Sequence, residues 1–231
     1  MRIWDINPGY LNRASLLGEH RELHGMVSIF INNKKGYSRH PETLRWVGYG
    51  WALKQRHRLL AAEMHLRGYQ DKSPVSLRAN KGQWPDTYID LPGVQFELIR
   101  NKYIDKEPGR IALPQNAQQL WSQHKYSVMA RDNALYKTLG KRVAGMSPRT
   151  RYAELADELT AVLRKAPSTG GIQNALLHMW GHVADFYQGD KSNIENWPLK
   201  KLLATVQILA IEQNEPYLKS STALGEFGAW L

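Results

Sequence analysis

Apolar residues recur along this chain at helical spacing, and nowhere do they alternate with period two for long. Leu16, His20, Leu23 and Val27 line one face of a first helix that Asn12 or Ser15 can cap. Lys34-Lys35-Gly36-Tyr37 breaks it. Pro41 suits the first turn of a second helix, with Leu44 and Val47 expected to face inward. A third helix is predicted over 51–67, with Leu53, Leu60 and Met64 on its stripe and Gly68 as its stop.

Residues 71–115 carry Pro74, Pro85, Pro92, Pro108 and Pro114 with Gly82, Gly93 and Gly109 between them. They read as a loop-rich arm with one short helix near 93–102. Helical stripes then resume. Asn116 and Gln119 resemble a capping box before Leu120-Trp121. Leu135, Leu139 and Val143 form the next stripe, ending at Gly145. Ser147-Pro148 starts a helix with Tyr152, Leu155, Leu159 and Val162 inward. Ile172, Leu176, Met179 and Val183 follow, and Leu199, Leu202, Val206 and Leu209 close the series. The expected class is all-α, in two helical modules: 1–105 including the arm, a linker over 106–117, and 118–231.

Composition narrows the chemistry. The chain has no cysteine, which excludes disulfides, thiolate nucleophiles and cysteine-ligated metal centres. No apolar run has the roughly 18 residues of a membrane span. Asp5 and Pro8 interrupt the place where an export signal would carry its apolar stretch. With 31 basic and 21 acidic residues the net charge is +10, which favours polyanionic partners. The excess is concentrated early, since residues 1–110 carry 18 basic and 11 acidic groups, net +7.

Two local patterns carry chemistry: Met1-Arg2-Ile3-Trp4-Asp5, and Leu16-Leu17-Gly18-Glu19-His20-Arg21-Glu22-Leu23-His24. With Arg67-Gly68-Tyr69 closing a later helix, residues 1–75 resemble the pyrimidine-dimer DNA glycosylases with abasic-site lyase activity. The resemblance implies that the α-amine of Met1 is the nucleophile and Glu22 the catalytic carboxylate. It also implies that Arg2 and Arg21 hold DNA phosphates. The chemistry is self-consistent. An α-amine has a reference pKa of about 7.7–8.0 against about 10.4 for lysine, so more of it is free base at neutral pH. Such an amine can displace a base from its sugar and leave a Schiff base. A lesion inside a duplex must first be exposed by extruding a nucleotide.

The chain departs from the family prototype at two places. Met1 stands where the prototype has a threonine bared by processing, and bulky Arg2 is expected to keep Met1 in place with a free amine. His24 and Gly25 replace a proline and an arginine, which bears on the choice of lesion.

The basic loop Lys34, Lys35, Tyr37 and Arg39 is expected to grip a backbone and stack a base. His20 and His24 are expected to line the DNA site. Their four-residue spacing also suits metal ligands. The order is not His-Glu-x-x-His, and no third ligand is evident, so no metal and no cofactor are expected. Trp46 and Trp51 read as core more readily than as stacking platforms.

Residues 118–231 are similar to an uncharacterised all-helical bacterial domain family often linked to repair genes. Leu120-Trp121, His124-Lys125-Tyr126, Tyr136, Leu139-Gly140, Asn174-Ala175-Leu176-Leu177-His178 and Gly181 carry that similarity. His124, Lys125, Tyr126, Asn174 and His178 form either a buried hydrogen-bond network or a second site for nucleic acid or ligand.

The expectation is therefore a metal-free repair enzyme acting on damaged double-stranded DNA, monomeric, in the bacterial cytoplasm and nucleoid. Its preferred substrate would be a cyclobutane pyrimidine dimer. The alternatives are the same chemistry on another damaged base or on abasic sites, a non-catalytic DNA-binding protein, and a metallohydrolase built on His20 and His24.

Overall fold

The computed structural model describes residues 1–147 and 152–231. Among them, helices and turns account for all regular structure and no strand occurs, as the spacing of apolar residues implies. The elements are α1 (Arg13–Asn32), α2 (Pro41–Arg45), α3 (Gly50–Leu66), α4 (Pro92–Lys102), α5 (Ala117–Met129), α6 (Asn133–Ala144), α7 (Ala153–Leu163), α8 (Thr169–Trp180), α9 (Leu199–Glu212), α10 (Pro216–Lys219) and α11 (Thr222–Glu226). No helix among the described residues is long and apolar enough to cross a membrane.

Local chemistry sets most boundaries. The side chain of Asn12 caps α1 by accepting the Ser15 N–H at 2.9 Å, a bond worth about 1 kcal/mol. Asn33 ends α1 in the left-handed region, at φ 49°. Gly68 follows α3 at φ +82°, a conformation that glycine adopts without a Cβ penalty. Asn116 caps α5 through the Gln119 N–H, while the Gln119 side chain reaches back to the N–H of Gln115 rather than that of Asn116. The expected helix start at Ser147-Pro148 falls partly outside the described residues, and α7 begins at Ala153.

Two clusters of buried side chains hold the helices. The first joins Ile3, Tyr10 and Leu11 to α1, α3, α4 and the buried faces of α5, α6 and α7. The second joins α5, α8, α9 and α11. Segment 106–117 is packed between them. Ile111 is fully buried and its N–H bonds the carbonyl of Gly9 at 2.9 Å. A Cβ on Gly109 would lie 2.5 Å from the backbone of Tyr10, so only glycine fits that crossing. Arg110 pairs with Glu63 at 2.7 Å and donates to the carbonyls of Lys219 and Ser221. The last turns of the chain lie against the back of α3, where Gln55 donates to the carbonyl of Ala229.

The inward placement of Leu44 and Val47 is corrected: both are 56 % exposed. The five-residue α2 turns Glu42, Thr43 and Arg45 inward instead, with Trp46 just beyond it. Arg45 bridges Glu42 at 2.7 Å and Asp5 at 2.9 Å, and Asp5 also receives Arg164 at 2.7 Å. This buried ion network outweighs the apolar pattern because none of its members can be left without a partner.

Candidate active site and the adjacent histidine cluster

The amino-terminal residues lie outside any helix and run beside α1. Ile3 and Trp4 are buried and anchor them. The N–H of Trp4 donates to Glu19 Oε1 at 3.2 Å, and the N–H of Arg2 donates to Glu22 Oε2. Arg45 holds the carbonyl of Ile3 at 3.2 Å. The Met1 Sδ accepts a contact from Thr43 Oγ1 at 3.4 Å. These contacts bring the Met1 amine to 3.9 Å from Glu22 Oε1. The Met1 side chain is nearly buried, whereas Glu22 is 42 % exposed.

Glu19 is held differently. Its carboxylate is buried and takes both Nε and Nη2 of Arg56, at 2.7 and 2.9 Å. Burial raises its pKa. Arg56 and the Trp4 N–H oppose that shift, and the net direction stays upward. Arg56 also donates to the carbonyl of Ile6 at 2.7 Å. Glu19 thus positions the amino terminus, while Glu22 meets solvent beside the amine.

The other expected site residues divide by accessibility. Arg21 is exposed, its Nε donating to the Leu17 carbonyl of its own helix at 3.3 Å. Lys34, Lys35, Tyr37 and Arg39 are all exposed. Lys34 and Lys35 line a groove of about 480 Å³ with Ser38, Thr43 and Trp46, and Thr43 is the residue that touches Met1. Arg2 stacks on Trp4 and is paired with Asp90 at 2.6 Å, so a phosphate reaching it must compete with that carboxylate. Trp46 is core, and Trp51 is half-buried.

His20 and His24 lie in a cluster with His57 of α3 and Asp71 of the following loop. His20 Nε2 is 3.2 Å from Asp71 Oδ1 and 3.3 Å from His24 Nε2. His57 Nε2 is 3.3 Å from Asp71 Oδ2. Burial pushes the pKa of His57 down to about 4, and it also lowers that of His24. Burial raises the Asp71 carboxyl, but the Ser73 N–H and the neighbouring imidazoles more than offset this, leaving it below its ordinary value. Of the two grounds for setting metal aside in the sequence, the residue order stands, but the lack of a third ligand does not hold in the fold. His57 and Asp71 escaped sequence reasoning because they lie 37 and 51 residues beyond His20. Their only signal was the unexplained His20/His24 spacing.

The second candidate group is not assembled. His124 is buried and near Tyr10, with Nδ1 2.9 Å from the Leu120 carbonyl, and burial lowers its pKa to about 4. Tyr126 Oη meets His182 at 2.8 Å, and burial raises its pKa to about 12. Lys125 lies over the rings of Tyr126 and Tyr217. Asn174 and His178 are exposed on α8, which removes them from the first of the two alternatives, the buried network. The apolar stripe Ile172, Leu176 and Met179 takes the inner face of that helix and turns them to solvent.

No curated protein and no solved structure matches the chain. Two family models do. Residues 125–227 match a family described as a protein of unknown function (DUF1722). Residues 1–77, which hold Met1, Glu19, Glu22 and the whole histidine cluster, match the family described as pyrimidine dimer DNA glycosylase, a match that supports a repair role of that type.

Proposed function

We propose that this chain is a DNA glycosylase and abasic-site lyase that excises damaged pyrimidines, with cyclobutane dimers as its preferred lesion. The observation that carries the reading is the Met1 amine 3.9 Å from the half-exposed carboxylate of Glu22. The free amine attacks C1′ of the damaged nucleotide, and the base departs with the bonding electrons and a proton. Opening of the sugar ring gives an iminium ion between C1′ and the Met1 nitrogen. Loss of a C2′ proton then expels the 3′ phosphate by β-elimination, and water releases the enzyme. Glu22 stabilises the cationic sugar and ferries the protons.

Exposed Arg21, Lys34, Lys35 and Arg39 supply the phosphate contacts, and Tyr37 supplies a stacking face. Arg2 joins them if it exchanges Asp90 for a phosphate. Residues 118–231 act as an accessory helical module that braces α3 from behind. Their contacts through Arg110 and Gln55 support that role. In this reading the protein works as a monomer on duplex DNA in the bacterial cytoplasm.

The test is borohydride trapping of protein with a native amino terminus on dimer-containing and abasic duplexes, followed by peptide mass spectrometry. An adduct at the Met1 nitrogen is the expected result. An adduct at a lysine would overturn the assigned nucleophile. Tight binding with no adduct would leave a DNA-binding protein without this chemistry. If dimer duplexes are cut no faster than undamaged ones, the lesion assignment fails.

A further inference from the structure

The polar contacts among His20, His24, His57 and Asp71 do not resolve into a set of hydrogen bonds. His20 Nε2 lies 3.2 Å from Asp71 Oδ1 and 3.3 Å from His24 Nε2. A proton on that nitrogen satisfies Asp71 and then leaves nothing for His24 to donate to. His57 is 4 % exposed, and its Nε2 lies 3.3 Å from Asp71 Oδ2 without hydrogen-bond geometry. A buried ring nitrogen left so is costly unless something else occupies its lone pair. The three rings crowd together, with centroids 4.6, 4.9 and 5.2 Å apart. One ligand atom from each ring and one Asp71 oxygen lie within 4.8 Å of one another.

The spacing fits an ion between them. Tetrahedral zinc has nitrogen and oxygen ligands at about 2.0–2.1 Å, which places neighbouring ligand atoms about 3.3 Å apart. His20 Nε2 lies 3.2 Å from Asp71 Oδ1 and 3.3 Å from His24 Nε2, His57 Nε2 lies 3.3 Å from the other Asp71 oxygen, and one ligand atom from each of the four residues lies within 4.8 Å of the rest. Imidazole with carboxylate is a donor set for first-row transition ions, and tetrahedral geometry favours zinc among them. A cavity of about 630 Å³, lined by His57 and Asp71 together with Lys54, Arg58 and His65, provides an entry path.

We infer that His20, His24, His57 and Asp71 bind a divalent transition-metal ion of the zinc class as a closed structural site. Four protein ligands fill a tetrahedron, so the ion does no chemistry. It fastens α1 to α3 and to the loop at Asp71. Because α1 also carries Glu19 and Glu22, the ion steadies the helix on which the amino terminus rests.

The test is metal analysis of the full-length protein, with titration of chelator-treated protein by ZnCl₂ and CoCl₂. One equivalent per chain, a rise in thermal midpoint with added metal, and the visible absorption bands of tetrahedral cobalt are expected. Asp71→Asn and the double change His20→Gln with His24→Gln should each weaken binding by more than the roughly 10–100-fold that loss of an outer-shell partner costs. Asp71 lies in a loop, so its variant is the one least expected to disturb folding, and circular dichroism checks that. Substoichiometric uptake without a shift in midpoint overturns the proposal. So does binding that survives both variants, which would place the ion elsewhere. No DNA is used, so either failure leaves the proposed amine chemistry standing.

Discussion

Glu19 and Glu22, one turn apart on α1, accept the backbone N–H groups of Trp4 and Arg2. Neighbours at that spacing on a helix are about 5–6 Å apart, and backbone groups two residues apart are separated by at most about 6.6 Å. Two glutamates can therefore pin one stretch of chain. They are not equivalent. Glu19 is locked in a buried pair with Arg56, whereas Glu22 faces solvent beside the Met1 amine.

That difference separates two substitutions. Glu22→Gln should lower strand cleavage by about 10²–10⁴-fold. It should change stability by no more than about 1 kcal/mol, since the side chain is half-exposed. Glu19→Gln leaves Arg56 buried without its counter-charge and should cost about 3–5 kcal/mol. Single-turnover cleavage and urea unfolding, measured on both variants, check the contrast.

Extending the chain before Met1, or acetylating its amine, should abolish borohydride trapping while leaving duplex affinity within about twofold. The amine contributes one charge among many to binding, but it is the whole of the nucleophile. Trapping and fluorescence anisotropy on the same preparation decide this.

Replacing Lys34, Lys35 and Arg39 together by alanine should reduce the salt dependence of duplex binding. Each phosphate contact contributes about 0.9 to the slope of log K against log salt, so the slope should fall by as much as about 2.7. These residues are exposed, and thermal stability should be nearly unchanged. An unchanged slope would place DNA on another face.

His124 makes stability depend on pH. Its folded pKa is about 4, depressed by burial. The unfolded value is about 6.5. The unfolded chain therefore takes up a proton first as pH falls. The contribution is fully present above about pH 6.5 and is lost progressively as pH falls toward 4, to a limit of about 3 kcal/mol. Tyr10 Oη and Gln123 sit beside the ring. Arg131 adds to the depression, and Glu226, Arg56, Asp5 and Arg164 line the small cavity next to it. His124→Gln should lose stability less steeply than the parent chain between pH 7 and 4, as read by unfolding at each pH.

Helix class, the caps at Asn12 and Asn116, and the apolar stripes of α1, α3, α7 and α9 were legible in the sequence, because each depends on residues within a few positions of one another. So was the block holding Glu22, since its spacing from Met1 is itself a sequence feature. Partnerships across distance were not legible. The inward turn of α2 depends on Asp5 and Arg164, which lie far from it along the chain. Asn174 and His178 stand in solvent because their helix has a stronger apolar face to bury. His20 and His24 share a helix face by their spacing, and only the packing of α3 beside α1 and the turn of the chain back to Asp71 brought His57 and Asp71 to them. Local periodicity determines which faces are buried. Which charged and metal-binding groups meet across those faces is decided by tertiary packing, since ligands from separate elements converge only when the helices carrying them do.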